Sequence, residues 1–198
     1  KQESYPDGSQ VTLTAKPAAD FIFDKWLYLS AANPLKLDMV KSWTVTPLFR
    51  KKNEILTNGD FSQGLNRWGN LYLYSAQNKG TATVSDGIYT MKVTASGTAG
   101  WHIVDQQLSI PFVQNSTYKV TFDAWADNPN AMDVFMSKNY GDYGNYYSTV
   151  KNITQTRQSY SWTFTMNYPT DLNCRFGFGF GKFSGKVYLD NVSIVRVV

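Results

Sequence analysis

The sequence predicts an all-β protein, a β-sandwich preceded by a small β-rich domain. Three observations carry this. Short segments alternate apolar and polar residues at period two, as in "TYKVTFDAWA" at 117–126, where Tyr118, Val120, Phe122 and Ala124 share one face. The composition is rich in Tyr, Phe, Trp, Gly, Asn and Thr. It holds only two glutamates, Glu3 and Glu54, a balance that favours strands and turns over helices. No window sustains an apolar stripe at helical period. At 198 residues there is room for one large domain, or for a standard domain plus a small one.

The small domain is read at residues 1–52. A turn at Pro6-Asp7-Gly8 precedes "QVTLTAKP", which sets Val11, Leu13 and Ala15 against Thr12 and Thr14. "FIFDKW" and "WTVTPLF" read as further strands, with Phe21, Phe23, Trp26, Val45 and Phe49 as candidate core. Fifty residues make a marginal core. The pattern over residues 5–50 resembles a bacterial repeat domain of the internalin B-repeat type, lacking the first strand of such a repeat. That resemblance implies a spacer or adhesion-stalk piece. Arg50, Lys51 and Lys52 then form a solvated linker.

The second domain is read at residues 53–198. Asn58-Gly59 and Gly64 supply turns, and at least seven alternating segments follow at short spacing, which makes a β-sandwich the leading architecture. In "AMDVFMSKN", Met132, Val134 and Met136 point one way and Asp133, Phe135 and Ser137 the other. "RFGFGFGKF" puts Phe176, Phe178 and Phe180 on one face and Arg175, Gly177, Gly179 and Gly181 on the other. Such a glycine strip means either curvature of the strand or a floor kept low for a ligand.

Charge narrows the function. Residues 1–52 hold eight Lys/Arg against five acids, and residues 53–198 eleven against ten. The second domain is close to neutral, so nothing recruits a nucleic acid, whose binding rests on clustered cations. No long apolar run spans a membrane. Cys174 is the single cysteine, which excludes a disulfide framework and a thiolate metal cluster. It is expected to be a small buried or half-buried residue. His102 is the single histidine, without a second His or Cys at zinc spacing. It is expected to be structural and to face the core if Trp101 faces outward. The chain begins at Lys1 without Met or signal peptide, so it is expected to be a piece of a longer polypeptide.

The ordered set "LTNGDFSQGLNRW", "SDGIYTMKV", "GWHIVDQQLSI", "TYKVTFDAWA" and "VYLDNVSI" resembles the carbohydrate-binding modules of families 4, 9 and 22. The resemblance implies a jelly-roll sandwich whose concave sheet holds a single glycan chain. The residues support a glycan site independently. Neutral sugars need flat aromatic platforms with amide, Arg and carboxyl groups at the edges. "NYGDYGNYY" at 139–147 offers four tyrosines, Tyr140 and Tyr143 among them, in a Gly/Asn loop. Phe135 lies among polar neighbours with Asp133. By the resemblance, Trp101 lines the cleft with Gln107 on the same parity. Tyr72 or Tyr74 supplies a stacking ring, and Arg175 is a polar groove residue. Trp101 facing the core is the competing placement. The resemblance also implies a structural calcium held at Asp60, Gly87 and Asp190, in keeping with the oxygen ligands that hard cations take. Two capping or turn carboxylates are the alternative.

These readings make the second domain a non-catalytic binding module of a secreted or cell-surface bacterial protein. Its partner is a plant-type polysaccharide of the β-glucan or xylan class, with no nucleic acid or membrane partner. The module is expected to be a monomer within a multidomain polypeptide, one that carries a polysaccharide-degrading enzyme. Two other classes compete. A glycosidase or lyase would need a catalytic pair drawn from Asp105, Asp123, Asp133 and Asp142. An adhesion or structural module would have no sugar site.

Overall fold

The computed structural model describes residues 4–19 and 21–197; Glu3 lies outside them. Among these residues there is no α-helix, and the chain divides into two units, Lys1–Asn53 and Glu54–Val198.

The first unit holds β1 (Gln10–Leu13), β2 (Phe21–Trp26), β3 (Leu35–Asp38) and β4 (Pro47–Lys51). β1 pairs antiparallel with β3, and β2 with β4. Its core is Ala15, Trp26, Leu35 and Leu37, with Leu13, Phe23, Trp43 and Val45 packed against it. Phe21 and Phe49, expected inside, stand exposed. The buried positions go instead to β3, whose "LKLD" points Leu35 and Leu37 inward.

The second unit is a sandwich of two five-stranded antiparallel sheets. One orders β11 (Asn145–Ile153), β10 (Asn130–Lys138), β13 (Asp171–Gly179), β8 (Ile103–Phe112) and β5 (Tyr72–Leu73). The other orders β12 (Gln158–Thr165), β9 (Thr117–Ala126), β14 (Gly185–Val197), β7 (Ile88–Ala95) and β6 (Lys79–Ser85). Period-two alternation fills the space between the sheets. Met132, Val134 and Met136 from β10 and Phe176 and Phe178 from β13 are fully buried, as is Phe180 just beyond it. The Phe178 ring meets Phe122 of the opposite sheet edge-on at 5.2 Å and stacks on Trp68 at 6.1 Å. Cys174 is buried, and its thiol pKa is pushed up to about 12 by that burial and by nearby Asp171.

The entry segment is fastened to both sheets. Ile55 N–H donates to Ile194 O at 2.9 Å, and Glu54 bridges Val195. Glu54 Oε1 accepts from Ile194 N–H at 2.8 Å, and its other oxygen accepts from the Ser193 hydroxyl. Gln107, from the opposite sheet, grips Thr57 at both backbone groups: Nε2 donates to its carbonyl at 2.6 Å and Oε1 accepts from its N–H at 3.2 Å.

Candidate functional site

The glycines of "RFGFGFG" do not leave an empty floor. A Cβ built at Gly177 would stand 2.6 Å from the Phe135 ring. At Gly179 it would meet the Gly100 backbone at 3.0 Å, and at Gly181 the Ala99 carbonyl at 2.1 Å. The strip is a seat for the chain's own groups. A 3-10 turn, Gly100–His102, settles onto it, tied by Gly181 N–H to Gly100 O at 2.8 Å and Gly97 N–H to Gly181 O at 2.6 Å. The reading as a bare ligand floor is therefore corrected: close approach of backbone requires the glycines, and the approaching backbone is internal.

That turn carries Trp101, which is 49% exposed. Trp101 stands before β8 rather than inside it, so strand parity does not govern its direction. Parity begins at Ile103. Ile103, Asp105 and Gln107 then point inward, while Val104 and Gln106 line the open face. Gln107 is thus a correction: it is 1% exposed and clasps Thr57, and Gln106 takes the groove position. His102 is a second correction. It is half-buried at the surface, not in the core, stacked on Tyr74 at 4.6 Å and accepting Thr98 N–H at Nδ1.

The open face of the first sheet forms a groove of about 770 Å³. Every strand of that sheet contributes: Tyr72 from β5, Val104 and Gln106 from β8, Arg175 from β13, Asp133 and Phe135 from β10, and Asn145, Ser148, Thr149 and Val150 from β11. Trp101 and the loop residues Asn139 and Tyr143 complete it. Five strands span about 19 Å, the length of a short oligomer. Of the eight expected ligand residues, the fold brings together Tyr72, Trp101, Asp133, Phe135, Tyr143 and Arg175. Tyr140 is half exposed and is not among the lining side chains. Tyr74, half exposed, packs edge-on against Trp101 at 4.6 Å. Asn139, Gln106 and the β11 residues were missed; alternation from Asp133 and Phe135 across the hairpin was the signal that could have found the last of these.

The groove has aromatic and polar parts with distinct supports. Phe135 is only 7% exposed; its ring lies over Gly177 and under the Arg175 guanidinium, 5.2 Å away. Tyr143 covers the same guanidinium at 4.9 Å. Arg175 Nε donates to Ser137 Oγ at 2.6 Å and Nη1 to Gln106 Oε1 at 3.2 Å. Buried Asp105 of β8 accepts from Gly69 N–H, Gln106 N–H and Tyr89 OH, which ties the segment leading into β5. Burial pushes the Asp105 carboxyl above the usual range despite those bonds.

The carboxylates do not pair for catalysis. Asp105 is buried, Asp123 lies on the opposite sheet bonded to Arg157, and Asp142 is tied to Lys138 at 3.1 Å. Asp133 is the one acid among the described residues lining the groove. The three residues expected to share a calcium do not fit one ion as a set. Gly87 sits in the two-residue β6–β7 hairpin, where Asp86 and Gly87 both take positive φ, as a type I′ turn requires. A Cβ there would approach Asp60 O at 3.5 Å, so those two meet. Asp190, however, is held by Arg157 at 2.5 Å and by Asn191 N–H at 2.7 Å.

Comparisons agree with this architecture. The family described as "Carbohydrate binding domain" (4/9) matches residues 53–184. A cellulose 1,4-beta-cellobiosidase of Acetivibrio thermocellus is 31% identical over 115 residues, 54% of this chain. The match spans only 13% of that relative. A solved structure described as "CBM4 structure and function" superposes with a TM-score of 0.66 at 24% identity, covering 71% of this chain and 99% of its own. The second N-terminal cellulose-binding domain of Cellulomonas fimi beta-1,4-glucanase C gives 0.59 at 18% identity, covering 73% and 95%.

Proposed function

Because the chain belongs to the carbohydrate-binding domain family matched over residues 53–184, we propose that its second unit holds a single polysaccharide chain of the β-glucan or xylan class in the groove, without turning it over. The observation that carries this reading is the groove itself: it crosses all five strands and sets the exposed rings of Tyr72, Trp101 and Tyr143, with Phe135 beneath Arg175, among amide, hydroxyl, Asp and Arg groups. Rings stack on the apolar faces of pyranoses, and the polar groups meet hydroxyls at their edges. A few stacked rings give micromolar to millimolar affinity, on the order of 4–8 kcal/mol. The module then targets a secreted or cell-surface bacterial enzyme that degrades the same polymer, and the first unit is a repeat-type spacer.

Affinity gel electrophoresis of the chain against soluble β-glucans, xylans and mannans tests the proposal. Retardation by a glucan or xylan is expected. Free migration in every gel overturns the reading in favour of a structural module. New reducing ends or unsaturated products on incubation with those polymers would replace it with an enzyme.

A further inference from the structure

Arg175 has no anionic partner among the described residues. Its five N–H donors form a planar fork. Ser137 Oγ and Gln106 Oε1, both neutral, take one each, and the Phe135 and Tyr143 rings hold the plane from the sides. Among the described residues no carboxylate lies within ion-pair distance of it. The nearby acids are engaged elsewhere: Asp142 with Lys138, and Asp171 with Tyr146 OH and Asn173 N–H, each at 2.8 Å. Asp133 is on the far side of the groove. Its β10 position pairs with Gly179 while Arg175 pairs with Ser137. Four residues along a strand separate their backbone positions by about 13 Å, and no ion pair joins the two side chains.

We propose that the groove selects glycans bearing a carboxylate, a uronic-acid unit or side branch, which docks on the free edge of the Arg175 guanidinium. This rests on the glycan-binding reading and adds the ligand's charge. Hydroxyls satisfy the remaining N–H groups but leave the half-buried charge uncompensated; a carboxylate satisfies both through two parallel bonds. Burial also draws the Arg175 pKa down, the direction expected of a cation short of a partner. One edge of the bound chain then faces Arg175, and the other faces Asp133, which excludes a second acid there. The groove therefore suits a sparsely substituted polymer rather than a polyanion.

The test compares each acidic polymer with its own carboxyl-reduced form: a glucuronoxylan, and a β-glucan carrying glucuronyl branches. Calorimetric titration of the full chain at about 50 and 500 mM salt should show at least one acidic form binding about tenfold tighter than its reduced partner, with the advantage shrinking at high salt. Arg175→Gln should erase the preference, while Arg175→Lys keeps part of it. Equal affinity for acidic and reduced forms overturns this proposal and leaves glycan binding intact. Binding by neither member of either pair, together with free migration on the neutral gels, overturns both.

Discussion

Trp101 and Gln107 stand six positions apart and show how one turn reassigns side chains. Trp101 is exposed on a 3-10 turn; Gln107 is inside, six residues later, clasping Thr57. Trp101→Ala should weaken retardation by a bound glycan about tenfold or more, with stability changed by no more than about 0.5 kcal/mol. A large loss of melting temperature would mean that the ring is structural. Gln107→Leu should do the opposite. It leaves two Thr57 backbone groups without their partner, costing about 1–3 kcal/mol of stability, and affinity measured below the melting range should not change. At this scale the alternation of β10 was legible, because Met132 to Ser137 is an uninterrupted strand. The parity of Trp101 was not, since nothing in "AGWHIV" announces that the strand starts two residues after the ring.

At the level of elements, the glycine strip and the 98–102 segment are one device. Gly181→Ala would drive a Cβ into the Ala99 carbonyl, a fixed backbone atom that cannot step aside as a side-chain end can. Lifting the turn should cost about 1–3 kcal/mol and move Trp101, so melting temperature and glycan affinity should fall together. An unchanged affinity would separate the seat from the site. The sequence showed the strip but not its occupant, because close approach is a property of residues some eighty positions apart. On the opposite sheet, Arg157 joins Asp123 and Asp190. Burial opposes ionisation of Asp123, yet bonds from Ser159, Arg157 and Asn191 hold its carboxyl below the usual range. Its contribution to stability is therefore complete above the unfolded value of about 3.9 and is lost as pH falls through the lower folded value. Asp123→Asn should flatten the acid limb of a melting profile below about pH 4. Melting curves in chelator and in calcium should coincide if Arg157 is the cation that serves Asp190; a clear rise with calcium would return Asp190 to a metal.

Across the whole molecule, two separate cores predict two calorimetric transitions. At about 0.7 kcal/mol per residue, the first unit should absorb roughly 35 kcal/mol and the second roughly 100. A single transition would show that the units melt as one. The sandwich was legible from composition and repeated alternation, whereas the first unit's core was half misread, since β3 carries only two apolar residues and no aromatic. The antiparallel bridge between Glu54 and Val195 has a mechanical consequence. It brings the two ends of the second unit out side by side. Pulled at both ends, the entry segment peels from β14 like a zipper, its bonds parting one at a time, while the last residues of β14 carry the load into their neighbour β9.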